Sequence, residues 1–527
     1  MTIRIAPMSR RRFLGTSAAT AALTLGGGIA RPYLSRAADR PQITHGIQSG
    51  DASLNSGVVW ARTDRPSRML VEVATTDSFK DIRRAVFVDA LPESDFTAKA
   101  LIDGLPAGQD VFYRIRFQNL GTPTISSEQV VGRFRTAPAE RRSISFTWSG
   151  DTAGQGWGID ESRGGMKIYE TMRKLRPDFF IHSGDTIYAD GPIDAEKKLP
   201  DGSIWKNVVI EEKLKVSETL AEFRSNYKYN LLDRNLRAFN AEVPMLAQWD
   251  DHEVTNNWSS SKSLLEDKRY SEKSVPLLAA RAARAFHDFM PIAATPQEAA
   301  RVYRKVAYGP LLDIFFLDMR SYRGPNSDNT QKEPGPETAF LGREQLNWLK
   351  RELMASRATW KVIAADMPLG LVVYYDAANK WGVEAIAQGM DGPPRGRELE
   401  VANLLSFIKH AGIRNTIWLT ADVHYTAAHY YDPNKAVFQD FEPFWEFVSG
   451  PIHAGTFGPN ELDSTFGPQL IYIRAPTQEQ GQNLSPAAGL QFFGHVAIEG
   501  ETGVMTVTLK DVDDRALWST KLEPKMG

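Results

Sequence analysis

Six short apolar runs in this sequence end in aspartate, and this repeated pattern constrains the fold more than any other feature. The runs are SISFTWSGD, DFFIHSGD, PMLAQWDD, LLDIFFLD, WKVIAAD and NTIWLTADVH, ending at Asp151, Asp185, Asp250 with Asp251, Asp318, Asp366, and Asp422 with His424. Aspartate often begins a turn, so one or two such endings would be ordinary. In layered α/β proteins, however, ligands and catalytic groups gather at the carboxyl ends of strands. The pattern therefore predicts an α/β fold with an acidic site at one edge of its sheet.

The chain divides into two regions with different patterns of apolar residues. Residues 40–138 contain short strand-like runs separated by Pro, Gly and Asp turns, namely GVVWAR, MLVEVAT, TAKALI, VFYRIRF and VGRFRTA. The stretch DGLPAGQDVFYRIRF is typical of fibronectin-type sandwiches. From Ser143 onward, apolar runs alternate with amphipathic helices. We expect a small fibronectin- or Ig-like β-sandwich domain at 40–138 and a catalytic α/β domain at 143–527.

The first 38 residues predict an export signal. They hold six arginines and no acidic residue, followed by an apolar middle and a tail of small residues. Residues 9–14, SRRRFL, match the twin-arginine export pattern. We expect cleavage after Ala37 or Ala38 and a periplasmic or secreted mature protein. No later run of eighteen apolar residues occurs, so we expect no transmembrane anchor in the mature form.

Net charge and cysteine content limit the partners and the metal ligands that this chain can have. Without the first 38 residues, the chain has 56 basic and 64 acidic residues, a net charge of −8. This acidic balance argues against nucleic acid as the main partner. The chain has no cysteine, which excludes disulfides and thiolate metal ligands.

Carboxylates that converge on one edge repel one another unless a cation lies among them. Oxygen ligands suit hard cations, and histidine extends the choice to iron, zinc or manganese. Tyr188, three residues after Asp185 in the string GDTIY, could supply a phenolate to ferric iron. Two structural alternatives stay open, because Asp151 could cap a helix and Tyr188 could be a packed aromatic residue.

Four strings in this order, SGDTIYADG, QWDDHEVTNN, LDMRSYR and LTADVHY, resemble the hallmarks of PhoD-like alkaline phosphatases, a family of the metallophosphoesterase superfamily. The GDxxY pattern resembles the purple-acid-phosphatase form of the second superfamily motif. The resemblance covers nearly the whole chain after the signal. It implies a four-layer αββα metallophosphoesterase sandwich and a site for two or more metal ions. Those ions would be ferric iron (Fe3+) with calcium (Ca2+), with zinc (Zn2+) or manganese (Mn2+) as alternatives.

The resemblance also implies a set of metal ligands. Asp185 would bridge two ions, and Tyr188 would be the iron-binding phenolate. Asp251 matches a ligand position better than Asp250 does. The full implied set is Asp151, Asp185, Tyr188, Asp251, Asp422 and His424.

Two further residues receive roles in the reaction. His252 would donate a proton or give electrostatic support, and Arg320 would hold a phosphate oxygen by a forked pair of hydrogen bonds. Arg320 could instead be the buried ion-pair partner of Asp318. No histidine lies between His287 and His410, where related enzymes have one more ligand, so Asp366 or Asn256 is an alternative there.

The implied function is an exported phosphoesterase that hydrolyses phosphate monoesters or diesters with a metal-activated hydroxide. Its expected partners are the phosphate-ester substrate and the twin-arginine export machinery. A phospholipase-D-like phosphodiesterase is one alternative, and a non-catalytic, metal-stabilised extracellular binding protein is another. No G-x-S-x-G elbow is present, so no covalent serine intermediate is expected.

Overall fold

A computed structural model describes residues 40–293, 300–376 and 379–525 of the chain. The predicted export signal at 1–38 lies outside these residues. Within them, no helix combines the length and the apolar character that crossing a membrane requires.

The N-terminal region is a β-sandwich. Buried and half-buried side chains alternate along the strand Asp110–Asn119, as the two-residue period of a half-buried strand requires, and Val59, Val71 and Phe117 meet in the core. Its strands are β1 (Ile43–Gly50), β2 (Gly57–Thr63), β3 (Ser67–Ala74), β4 (Ile82–Ala90), β5 (Thr97–Ile102), β6 (Asp110–Asn119) and β7 (Val130–Arg135). One face is the antiparallel sheet β4-β3-β6-β7, and β1, β2 and β5 form the other.

The remaining described residues alternate strands and helices. The strands are β8 (Ile144–Ser149), β9 (Phe179–Ser183), β10 (Glu196–Lys198), β11 (Ile204–Lys206), β12 (Met245–Gln248), β13 (Arg304–Ala307), β14 (Leu312–Phe316), β15 (Trp360–Ala364), β16 (Tyr374–Asp376), β17 (Trp381–Val383), β18 (Thr416–Thr420), β19 (Thr426–Tyr431), β20 (Phe444–Val448), β21 (Pro468–Arg474), β22 (Phe492–Ile498), β23 (Met505–Asp511) and β24 (Ala516–Leu522). The helices are α1 (Lys167–Lys174), α2 (Leu220–Asn230), α3 (Arg234–Glu242), α4 (Val275–Phe289), α5 (Gly342–Ala355) and α6 (Glu398–His410).

Two large sheets pack face to face between helices. The first has the order β24-β23-β22-β8-β9-β12-β1-β2-β5, and the second has the order β13-β14-β15-β18-β20-β19-β21. Ile181 and Val362 belong to the core between the sheets. Phe180, one residue before Ile181, faces the opposite way and packs with α1 to α4, while α5 and α6 cover the second sheet. The predicted four-layer αββα arrangement is therefore confirmed.

The N-terminal sandwich shares a sheet with the α/β region. β1 pairs in parallel with β12 at Gly50 and Met245, so β1, β2 and β5 extend the first large sheet. An ion pair of 2.8 Å between Asp51 and Arg304 also joins the two regions. The sequence did not indicate this continuity, because strand pairing over long separations leaves no local pattern.

Candidate metal centre

The candidate site lies where strands of both sheets end. Both β8 and β9 are followed two residues later by an aspartate, and the loops after β12 and β18 carry aspartate and histidine. These residues are Asp151, Asp185, Asp250, Asp251, His252, Asp422 and His424. The described residues thus bring together the ends of strands that are up to about 270 positions apart in the sequence.

Several of these residues have a strained backbone. The φ angles of Asp151, Asp185, Asp422 and His424 are 69°, 52°, 65° and 60°, all in the left-handed region. Each such residue costs roughly 1–3 kcal/mol unless its surroundings hold it in place. The backbone N–H of His453 donates to the carbonyl of Asp151 and helps to hold that turn. Strain of this kind concentrates at functional sites.

The acidic and histidine side chains form three overlapping groups, in each of which one ligand atom per residue lies within 4.8 Å of the others. Asp185 belongs to the first two groups, and Asp251 belongs to the last two. The groups are Asp151 with Asp185 and His424, Asp185 with Asp251 and His252, and Asp250 with Asp251 and Asp422. We call these seven residues the acidic cluster.

The donor set of this cluster suits metal cations. Both carboxylate oxygens of Asp151 are buried and have no hydrogen-bond donor among the described residues. Burial, followed by the negative charge of Asp250, raises the pKa of Asp151 well above its usual value. Burial and the charge of Asp251 do the same for Asp185. A buried excess of carboxylates with an orphaned member fits oxygen-ligated cations, with histidine nitrogen as the additional donor.

Tyr188 and His424 meet at the Asp151 end of the cluster. The hydroxyl of Tyr188 lies 2.9 Å from Nε2 of His424, and that nitrogen lies 3.5 Å from Oδ1 of Asp151. The Nδ1 atom of His424 contacts the carbonyl of Gly455. Burial lowers the pKa of His424 to about 4, which favours the neutral imidazole that binds metals.

The approach of Tyr188 requires glycine in the neighbouring loop. A Cβ atom at Gly154 would lie 2.3 Å from Cε2 of Tyr188, and a Cβ atom at Gly450 would lie 2.3 Å from Oδ2 of Asp151. Both distances are far below van der Waals contact. The backbone therefore closes tightly around the Asp151 end of the cluster.

His252 is oriented by Asp190. Its Nδ1 atom lies 2.6 Å from Oδ1 of Asp190, and its ring packs against that of Tyr188 with 4.3 Å between centroids. Burial opposes a charge on His252, but the negative charges of Asp190 and Asp251 outweigh it and raise its pKa to about 9. Nδ1 is engaged by Asp190, which leaves Nε2 as the ring nitrogen that belongs to the acidic cluster.

Arg320 is buried among carboxylates at the other end of the cluster. Its Nε donates to Oδ1 of Asp250 at 2.6 Å, and it forms ion pairs with Asp366 at 3.4 Å and Asp422 at 3.8 Å. It also forms a short contact with Glu384. Its side chain has no exposed surface. This guanidinium is therefore better placed to hold the acidic residues than to reach a substrate.

Three nearby residues that the sequence left as alternatives, Asp318, Asp366 and Asn256, contact the loops around the cluster. Asp318 accepts hydrogen bonds from the backbone N–H of Arg320 and from the side chain of Trp249, so it braces a turn. Asp366 contacts Arg320 and does not belong to the three groups among the described residues. Asn256 faces the site with its backbone, whose N–H donates to Oδ2 of Asp190 at 2.7 Å.

Two acidic residues that sequence reasoning missed connect the loops of the site. Glu253 accepts hydrogen bonds from Thr186 and from the backbone N–H of Asp250. Glu384 accepts hydrogen bonds from Arg320 and Arg323. Glu253 stands in the string DDHE and could have been found there, whereas Glu384 follows a strand of three residues that is too short to stand out in the sequence.

Comparisons with known proteins agree with this geometry. The family model described as PhoD-like phosphatase matches residues 146–509, and the model for the N-terminal domain of PhoD-like phosphatase matches residues 28–138. Alkaline phosphatase D of Bacillus subtilis (strain 168) is 28% identical over 489 residues, which cover 86% of this chain and 78% of that protein.

Two solved structures share the fold. The structure of PhoD has a TM-score of 0.65 at 22% identity, covering 91% of this chain and 89% of that chain. A purple acid phosphatase from yellow lupin (Lupinus luteus) seeds has a TM-score of 0.58 at 10% identity, covering 92% of this chain and 74% of that chain.

Proposed function

The chain belongs to the PhoD-like phosphatase family, and from that premise we propose that it is a metal-dependent phosphoric ester hydrolase acting on phosphate monoesters or diesters. One observation carries the proposal. Asp151, Asp185 and His424 form a buried ligand group in which neither oxygen of Asp151 has a hydrogen-bond donor within the described part of the chain. The similarity to alkaline phosphatase D supports the same reaction class.

We assign the metal ligands within the acidic cluster and next to it. Asp185 is the proposed bridge because it belongs to two groups, and Tyr188 is the proposed phenolate ligand of ferric iron. Calcium is the proposed second ion, and zinc and manganese are the alternatives. When bound, these cations would neutralise phosphate oxygens and lower the pKa of a water molecule to give the attacking hydroxide. The full set is Asp151, Asp185, Tyr188, Asp251, Asp422 and His424.

His252 is the proposed proton donor to the leaving group. Asp190 holds its Nδ1 atom at 2.6 Å, so Nε2 is the nitrogen available to a departing ester oxygen. The negative charges of Asp190 and Asp251, which raise the pKa of His252, favour the protonated ring that this role requires.

Arg320 is proposed as a positioning residue. The sequence suggested that it holds a phosphate oxygen, but Asp250, Glu384, Asp366 and Asp422 surround its guanidinium. We infer that Arg320 fixes Asp250 and Asp422 so that the neighbouring ligands keep their geometry.

The first experiment combines elemental analysis of the purified protein with hydrolysis of p-nitrophenyl phosphate and bis(p-nitrophenyl) phosphate. We expect bound metal, activity that a chelator removes, and a visible tyrosinate absorption band if the metal is iron. The Asp185→Asn variant should lose metal and more than about a hundredfold in kcat/KM, the upper loss typical of residues that merely support a metal ligand. Asp440→Asn, at a partly exposed aspartate that pairs with Lys409, is the matched control and should keep both.

Two outcomes would contradict the proposal. An Asp185→Asn variant with full metal content and activity would remove the bridging assignment. A metal-loaded protein that hydrolyses neither ester would instead favour a non-catalytic binding protein.

We also propose that residues 1–38 direct export by the twin-arginine pathway to the periplasm or the exterior. Support comes from the string SRRRFL and from the absence of acidic residues before Asp39. Replacing Arg10 and Arg11 with lysine should leave full-length protein in the cytoplasm, as measured by cell fractionation. Unchanged export of that variant would contradict the proposal.

A further inference from the structure

A lysine that the proposed mechanism does not use lies beside the acidic cluster. The Nζ atom of Lys262 donates a short hydrogen bond to the carbonyl of Asn256. The N–H of Asn256 donates to Asp190, and the N–H of Asn257 donates to Asp251. Lys262 is therefore attached to the short segment that also contacts Asp190 and Asp251.

The ammonium group of Lys262 has no carboxylate partner among the described residues. Burial lowers the pKa of Lys262, and the negative charges of Asp251 and Asp190 oppose that effect. Neighbouring cations are committed elsewhere, since Arg320 is surrounded by carboxylates and Arg269 pairs with Asp267 at 2.8 Å. Lys262 is thus a partly exposed cation near the cluster that can accept an anionic partner.

An aromatic side chain accompanies this lysine. The Nζ atom of Lys262 lies 5.7 Å from the ring centroid of Tyr375 in the β16–β17 hairpin. The ring of Trp381, whose residue is 54% exposed, lies 6.1 Å from that of Tyr375. Burial, and then the negative charge of Glu384, raises the pKa of Tyr375, which agrees with a position close to the cluster. We call Lys262 and Tyr375 the rim.

Resting on the proposed function, we propose that the rim binds the organic group that the substrate carries on its phosphate. The rim favours an aryl group with a negative charge. The phosphate itself belongs to the buried acidic cluster, so the ester group has to extend toward more exposed side chains. Tyr375 and Trp381 offer ring surface, which suits a planar group. The ammonium of Lys262 offers a charge partner next to that surface.

The test uses a matched pair of non-hydrolysable ligands, phenylphosphonate and 4-carboxyphenylphosphonate, which differ by one negative charge. Calorimetry with the metal-loaded protein should show that the carboxylate improves affinity about fivefold, the gain expected for a partly exposed ion pair worth about 1 kcal/mol. Lys262→Met should abolish this gain and leave the affinity for phenylphosphonate within about twofold. Lys262→Arg, which keeps the charge, should restore most of the gain.

Tyr375→Ala tests the aromatic part of the rim. It should weaken both aryl phosphonates by roughly fivefold to tenfold, the effect of losing one ring contact, and leave methylphosphonate unaffected. Lys380→Met is the matched control, because Lys380 lies 5.8 Å from the Tyr374 ring in the same hairpin but pairs with Glu461. It should leave the carboxylate gain unchanged.

Two results would overturn the rim. One is an equal affinity for both aryl phosphonates in the wild-type protein, and the other is a carboxylate gain that survives in Lys262→Met. Hydrolysis of phenyl phosphate, measured in parallel, reports on the proposed function separately. A protein that shows the carboxylate gain but hydrolyses no ester would refute the phosphatase proposal and leave the rim standing.

Discussion

At one end of the acidic cluster, neither oxygen of Asp151 has a donor among the residues that the structure describes, whereas at the other end Oδ1 of Asp250 accepts a hydrogen bond from Arg320 at 2.6 Å. Both ends are buried and acidic, but within residues 40–293, 300–376 and 379–525 the guanidinium of Arg320 lies at the second end. The difference indicates that the Asp151 end depends on an external cation, while the Arg320 end is partly neutralised by the protein itself. Each end should therefore respond differently to mutation and to metal removal.

The largest expected effect comes from removing the internal cation. Arg320→Met would leave Asp250 buried without its ion pair and would remove one of the two arginine partners of Glu384, so the free energy of unfolding should fall by about 3–5 kcal/mol. Denaturant unfolding should show the loss with and without metal. Arg68→Met is the control, because Arg68 pairs with Asp89 on the surface, and it should cost less than about 1 kcal/mol. A loss that bound metal fully reverses would contradict the comparison.

An intermediate effect is expected from the phenol at the Asp151 end. Tyr188→Phe removes the hydroxyl that lies 2.9 Å from His424, so metal affinity should fall about tenfold to a hundredfold. A visible iron–phenolate band should disappear at the same time. Tyr169→Phe is the matched control, because Tyr169 is equally buried but its hydroxyl contacts Thr152. Equal metal affinities in the two variants, measured by competition with a chelator, would exclude Tyr188 as a ligand.

The smallest expected effect is a gain in unfolding free energy where the previous variants cause a loss. Asp151→Asn removes a buried negative charge, so the metal-free protein should gain unfolding free energy at pH 8. The pKa of Asp151 is raised in the folded protein. Below its ordinary pKa of 3.8 the carboxyl group is protonated in both the folded and the unfolded protein, so it costs no stability. The loss of stability grows as the pH rises from that value through the folded pKa. The gain should therefore be smaller at pH 5 than at pH 8.

Bound metal should reverse the sign of the stability change for the variant at the Asp151 end, and not for the variant at the Arg320 end. With metal bound, Asp151→Asn should destabilise the protein, because it weakens the site. Asp250→Asn is the control at the Arg320 end, and it should destabilise the protein with and without metal, because it loses its ion pair. Denaturant unfolding in chelator and in added metal separates the two cases. The same sign for both variants in chelator would remove the distinction between the ends.

The layers of the fold and most of the acidic cluster could be predicted from the sequence. Apolar runs predicted the central strands, and the aspartates at their ends predicted the edge where Asp151, Asp185 and Asp422 meet. Asp318 follows the same pattern but braces a turn instead. The reason is that the amino-acid type at a strand end does not show in which direction the following turn will point its side chain.

The partners of the cluster were harder to predict. Asp190 and Glu253 stand within the quoted motifs, but nothing in their spacing shows which atoms they contact. Glu384 follows the three-residue strand β17, which is too short to stand out in the sequence, and Lys262 lies in a loop. The guanidinium of Arg320 was expected to face the substrate, because sequence alone does not show that four carboxylates from separate segments surround it.

The shared sheet has a consequence for any shortened form of this protein. β12 pairs with β9 on one side and with β1 on the other, so removing residues 40–138 would turn β12 into an outermost strand. An exposed strand of this kind presents unpaired N–H and C=O groups that can recruit another chain. The N-terminal sandwich thus covers an edge of the first large sheet that would otherwise favour aggregation.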